Sequence, residues 1–206
     1  MSTMTVESAP TAPRMKAADR RELILQAATA VFGAKTYVGT TTDEVARAAG
    51  VSQPYVVRLF GTKEKLFVEV IERAYARLLA EFRAALPGPV EGRVERMGTA
   101  YTELLAERGM LPVIAGSTTL GGEPVIGRVA RRGFSEIWSF AREEAGLSEE
   151  ETRRFMATGM LINAVVGLRL TGDYGDELSA TEILDACFPD SVAKMRALLP
   201  RADEPW

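Results

Sequence analysis

In almost every segment of this chain apolar residues recur every three to four positions, the period of a helix with one buried face, rather than alternating as in a strand. From Asp19 to Gly33 they are Leu23, Ile24, Ala27, Ala28, Val31 and Phe32, with Asp19 and Glu22 at capping-box spacing and Gly33 at the expected stop. A second start falls at Thr41, again with an acid three residues on, Glu44; Val45, Ala46 and Ala49 make its apolar face, and Gly50 stands where a C-terminal cap belongs. A third short helix is expected from Ser52, with Pro54 tolerated in its first turn, Val56 and Phe60 inward, and Gly61 at its end. Thr62 then caps a long helix through Phe67, Val70, Ile71, Ala74, Leu78 and Phe82, stopped by Pro87-Gly88-Pro89.

Beyond Pro89 the pattern is coarser. Val94, Met97, Tyr101, Leu104 and Leu105 share a face, and Met110 to Gly122, rich in Gly, Ser and Thr, reads as a weak helix at best. Val125 to Ala145 carries Ile126, Val129, Phe134, Ile137, Trp138 and Ala141. Ser148 with Glu151 opens another helix to about Leu170, and Ala180 to Leu199 supplies the last. The fold class is therefore all-α: a group of three short helices followed by several long ones. The first thirteen residues hold nine Ser, Thr, Ala or Pro and lack an apolar signal segment, which predicts a disordered leader over 1–14 and a soluble, cytoplasmic protein.

Composition narrows the chemistry. Among 206 residues there is no histidine and one cysteine, Cys187. This removes the Ser-His-Asp and Cys-His nucleophilic pairs, imidazole acid–base catalysis, imidazole-based metal sites and any internal disulfide. Cys187 reads as a small buried apolar residue. Asp173 and Asp176 lie in a Gly-rich turn without the other ligands of a Ca²⁺ site, and Gly121-Gly122 lacks the Lys-Ser or Lys-Thr of a P-loop. No cofactor and no metal is expected. The net charge is −3, but it is unevenly distributed. Residues 14–65 hold nine basic and five acidic side chains, +4, which leaves sixteen basic against twenty-three acidic elsewhere, −7.

That basic segment contains the functional motif. Two short helices joined by Ala49-Gly50-Val51-Ser52, the second opening with polar side chains, have the arrangement of a helix-turn-helix. Val45, Ala46, Val51, Val56 and Phe60 would fix the third helix across the second, turning Gln53, Pro54, Tyr55 and Arg58 outward. Gln pairs with adenine and Arg with guanine in the major groove, and Pro and Tyr can touch thymine methyls. A plain helical hairpin is the competing reading of the same pattern.

The run from Thr40 to Ser52 (TTTDEVARAAGVS), followed by Phe60-Gly61-Thr62-Lys63-Glu64-Lys65-Leu66, resembles the TetR family of bacterial repressors. The resemblance spans roughly residues 20 to 67. It implies a homodimer with a helix-turn-helix domain at 15–62 and a helical effector-binding and dimerisation domain at 63–206. By position it assigns base contacts to Gln53, Pro54 and Tyr55, with Arg58 beside them, and phosphate contacts to Thr41, Thr42 and Lys63. Val57 and Leu59 depart from the family pattern, which usually has Tyr and often His there, so two polar contacts are missing and Tyr55 and Arg58 would replace them only in part.

The family works as a two-state switch, with the long helix from Thr62 to Leu86 as the lever. The expected effector pocket is Met97, Tyr101, Leu104, Ile114, Phe134, Trp138 and Met160, with Ser117, Thr118 and Asn163 as polar contacts, which suits a mostly apolar small molecule. Core packing is the first reading for any one of these residues, and a plain internal hydrogen bond or a dimer-seam bond the first for Asn163. Gly159 and Gly167 would let a second helix approach and form a dimer face with the last helix. The expected function is a repressor released from a palindromic operator by its ligand. The alternatives are a DNA-binding regulator without an effector and, less in keeping with the missing histidines, a helical enzyme using the cavity.

Overall fold

The computed structural model describes residues 16–198. Ten α-helices follow one another: α1 Ala17–Gly39, α2 Thr42–Ala48, α3 Gln53–Phe60, α4 Lys63–Ala84, α5 Arg93–Glu103, α6 Met110–Thr118, α7 Pro124–Ser139, α8 Glu149–Leu168, α9 Leu178–Cys187 and α10 Val192–Leu198. No strand occurs among the described residues. The leader expected at 1–14, Arg14 included, lies outside them.

Start signals act where the sequence places them. Thr41 and Glu44 close a full capping box on α2, and Ser148 and Glu151 another on α8, each satisfying backbone donors that a helix leaves unpaired. The Thr62 hydroxyl accepts from the Lys65 amide at 3.1 Å to begin α4. Gly50 and Gly61 adopt φ of +64° and +82°, the left-handed backbone that stops α2 and α3 at little steric cost.

Several local expectations are corrected. The first helix starts at Ala17 without a side-chain cap, so Asp19 lies in its first turn instead of ahead of it. It also runs past Gly33 to Gly39, with a break at Thr36 (φ +62°). The segment expected to be a weak helix forms α6, where Met110, Leu111, Val113, Ile114 and Ser117 are buried and burial outweighs low propensity. The helix expected over Val125–Ala145 stays α-helical only to Ser139, then passes through a wider turn at Phe140–Glu144. The last helix is two, broken at Phe188 (φ −140°), and Leu199 lies outside the described residues. Cys187 is exposed instead of buried.

Gly33 has a tertiary role. Its Cα side faces Gly109, the residue before α6, so closely that a Cβ on either would overlap backbone atoms of the other helix. The first helix of the N-terminal half therefore rests on α6 of the C-terminal half, backbone against backbone. Gly133 on α7 does the same for the Tyr75 ring of α4. Surface ion pairs Arg21–Glu69 and Glu22–Arg73 add a second join, between α1 and α4.

The α1–α6 contact predicts an asymmetric substitution result. Gly109→Ala, which adds a methyl where φ is +82° and no space exists, should destabilise by about 1–3 kcal/mol in urea unfolding. Gly116→Ala, within α6 and with open space around its Cβ, should be neutral or stabilising by up to about 1 kcal/mol.

Candidate nucleic-acid interface and ligand cavity

Helix α3 is held from below and open above. Val56 and Phe60 are buried against Val45, Ala46 and Ala49, with Val51 half-buried, so the opposite side of α3 faces solvent. Pro54 and Arg58 are exposed, and Gln53 and Tyr55 are half-buried on the same side. Val57 and Leu59 are 38% and 37% exposed, so the two departures from the usual pattern lie on solvent-facing positions of α3.

Tyr55 is gripped by two guanidinium groups, Arg58 at 5.0 Å and Arg20 at 5.6 Å from the ring centroid. Stacking on Tyr55 restrains both arginines without using their N–H groups, and neither makes an ion pair among the described residues. Other basic residues of this half are already engaged: Arg21 with Glu69, Lys35 with Glu44 and Arg47 with Asp43. The sequence reading missed Arg20. Its signal was available only as one more basic residue on α1, because the contact with Tyr55 crosses 35 positions (55 minus 20).

The expected phosphate contacts are differently placed. The Thr41 hydroxyl donates to Glu44 Oε2 at 3.1 Å and accepts from the Glu44 amide at 3.2 Å, so the capping box uses its proton. The Thr42 hydroxyl accepts from Gln53 Nε2 at 3.2 Å and keeps its own proton. Lys63 donates from Nζ to the carbonyls of Tyr37 and Thr40, at 3.0 and 3.1 Å, and sits 4.5 Å from the Tyr37 ring centroid. It ties the first residue of α4 to the α1–α2 connection, leaving one ammonium hydrogen uncommitted.

In the C-terminal half, α4, α5, α6, α7 and α8 enclose a cavity of about 360 Å³. Six of the ten expected residues line it: Tyr101, Ile114, Thr118, Phe134, Met160 and Asn163. The other four do not. Met97 and Leu104 are buried outside its wall; Ser117 lies behind it, within 3.4 Å of the Tyr75 hydroxyl; Trp138 does not reach the wall and is 40% exposed. Tyr75, Leu78 and Phe82 of α4 and Phe155 and Met156 of α8 complete the apolar wall, unpredicted because periodicity marks a buried face without saying what it faces. Tyr101 donates to Asn163 Oδ1 at 2.7 Å, and burial pushes the Tyr101 hydroxyl up from its ordinary pKa.

The family model for bacterial regulatory proteins of the tetR family matches residues 24–70, the stretch that holds most of α1, all of α2 and α3, and the start of α4. Over that stretch the chain is similar to bacterial regulatory proteins of the tetR family. Two curated relatives match part of the chain. The HTH-type transcriptional activator FasR of Mycolicibacterium smegmatis is 34% identical over 80 residues, 39% of this chain and 36% of FasR. The HTH-type transcriptional repressor NicS of Pseudomonas putida is 35% identical over 72 residues, 34% of each chain. The matched stretch thus spans about a third of either relative. Solved structures of a TetR-like regulator from a Rhodococcus species and a tetR-family regulator from Streptomyces coelicolor share the fold along most of the chain. The first has TM-score 0.62 at 20% identity over 87% of this chain and 96% of its own; the second has 0.57 at 22% over 93% and 92%.

The capping box of α2 has a definite pH signature. Lys35 and the Thr41 backbone and hydroxyl hold the Glu44 carboxyl down to about 2. A lowered folded value means its contribution is complete above the ordinary carboxylate range and is lost as pH falls toward 2. Thr41→Ala should cost about 1 kcal/mol at neutral pH. The stability gap between wild type and variant, read by urea unfolding, should narrow as the pH is lowered through that window.

Proposed function

We propose that this protein is a ligand-responsive transcriptional repressor that binds a palindromic operator as a homodimer and leaves it when a mostly apolar small molecule enters the C-terminal cavity. The observation that carries this reading is the continuity of α4. One helix buries Leu66 and Phe67 in the N-terminal half and lines the cavity with Tyr75, Leu78 and Phe82. A ligand that displaces its C-terminal end acts on the spacing of two recognition helices, which must match major grooves ~34–36 Å apart.

In this account Gln53, Pro54, Tyr55 and Arg58 read bases, and Arg20 joins them at the backbone. Thr42 and the remaining Lys63 hydrogen serve phosphates, and Thr41 serves through the helix start it caps. Val57 and Leu59 supply apolar contact of the kind thymine methyls accept. Apolar side chains left exposed on the last long helices support dimerisation: Met160, Leu161 and Leu168 on α8, Leu178 and Ile183 on α9.

Two other readings fare worse. A DNA-binding regulator with no effector would have a filled C-terminal core, whereas this one leaves about 360 Å³ among α4 to α8. A helical enzyme finds no counterpart among the relatives, since the matched model describes bacterial regulatory proteins and both curated relatives are named as transcriptional regulators. The activator FasR and the repressor NicS show that the regulatory sign differs between relatives, and release by ligand is the sign proposed here.

Random-site selection with the purified protein should yield a palindrome whose half-sites are one helical turn apart, bound less tightly as salt rises. Gln53→Ala should weaken that binding by about 1–3 kcal/mol and relax one base position per half-site. Failure to enrich any sequence would defeat the proposal.

A further inference from the structure

Two polar groups stand in the buried part of the cavity wall: the Tyr75 hydroxyl, 3.4 Å from Ser117 Oγ, and the pair of Tyr101 and Asn163, which keeps donors to spare. Tyr101 and Asn163, 5% and 7% exposed, bond to each other at 2.7 Å. Together they own three donor hydrogens, one on the phenol and two on the amide. The mutual bond uses one, whichever way the amide is turned. Two donors remain with no acceptor among the described residues, at side chains that both line the cavity. The buried side-chain atoms left without a partner among the described residues are Arg93 Nε and Thr152 Oγ1, so the spare donors of the pair open onto the cavity, where an acceptor can reach them.

Charge is distributed in the opposite way. The charged residues bordering the cavity, Glu95, Glu151 and Arg154, are all exposed. Arg154 Nε already donates to Glu150 at 3.0 Å, and the Glu151 carboxylate accepts from the Ser148 amide at 2.8 Å. No cation stands in the buried wall to balance an anion. A carboxylate or phosphate drawn inward would lose its hydration and meet only neutral donors, while a neutral oxygen would find the donors it needs.

We propose that Asn163, with Tyr101, is the specificity-determining anchor of the cavity, and that its ligand is an uncharged amphiphile presenting a carbonyl or ether oxygen to this pair. This rests on the cavity being a ligand site. The apolar walls from Leu78, Phe82, Ile114 and Met156 take the hydrocarbon body, and the exposed rim leaves room for a polar group at the other end.

The test is isothermal titration calorimetry of the full-length protein with two probes of equal chain length, methyl nonyl ketone and undecanoic acid, at neutral pH. The ketone should bind one per chain, and undecanoate should bind at least tenfold more weakly. Asn163→Leu should weaken ketone binding by about tenfold or more, the range expected when a buried hydrogen bond is lost. Because that variant strands the Tyr101 hydroxyl, the double variant Tyr101→Phe/Asn163→Leu, which removes both partners, keeps the test valid if the single one does not fold. It should bind the ketone no better than the single variant. Undecanoate binding as tightly as the ketone, or ketone affinity unchanged in either folded variant, overturns the anchor and leaves the cavity as a ligand site. Absence of binding by both probes to folded wild-type protein overturns the anchor together with the cavity reading.

Discussion

Everything in this molecule depends on α4 being a single unbroken helix with two different environments. Near its start Phe67 packs against Phe32 and Tyr37, with ring centroids 4.7 and 4.9 Å away. Fifteen residues later (82 minus 67), about 22 Å along the axis at 1.5 Å per residue, Phe82 packs against Tyr101, Phe140 and Phe155 at 6.0, 5.8 and 5.2 Å. An α-helix has little give along its axis, so a change around Phe82 is felt at Phe67 as a rotation or shift of the whole element. Lys63 carries it one step further, because its ammonium holds the carbonyls of Tyr37 and Thr40 just ahead of the capped start of α2.

A second route runs beside the first. Ile114 and Thr118 of α6 touch the cavity, and Gly109 at the head of that helix presses on Thr29, Ala30 and Gly33 of α1. A side chain between the two backbones would cushion such a contact; glycine on both sides makes it hard. Arg20, which stacks on Tyr55 of α3, belongs to the same α1. The cavity is thus mechanically connected to the candidate DNA face through α4 and through α6 and α1, and the proposed switch needs only one bistable setting of these contacts.

Much of this was legible beforehand, and the reason is local. Capping at Thr41–Glu44 and Ser148–Glu151, left-handed glycines at 50 and 61, and inward Val56 and Phe60 depend on neighbours within a few positions, which a sequence displays directly. What stayed hidden depends on partners far along the chain. Gly33 looked like a stop and is a contact surface for Gly109; Gly133 makes room for Tyr75. Lys63 matched a phosphate position, yet its nearest acceptors are carbonyls more than twenty residues away. Trp138 shares the apolar pattern of α7 with Ile137, but the two stand about 100° apart around the helix, which puts Ile137 in the core and leaves Trp138 40% exposed. The cavity wall was found by half for the same reason: periodicity marks Tyr101 and Asn163 as inward without revealing that they meet.

The claim that occupancy of the cavity is coupled to the DNA face can be measured without knowing the natural ligand. Gly98 lines the cavity and has open space around its Cβ, so Gly98→Phe places a ring where a ligand would sit while removing a weak point from α5. The decisive quantity is the affinity of this variant for the operator recovered by random-site selection, compared with wild type at the same salt. The account predicts a fall of about 5–150-fold, the usual span of coupling between sites, with folding intact. An unchanged affinity in a folded variant whose cavity is filled would contradict it.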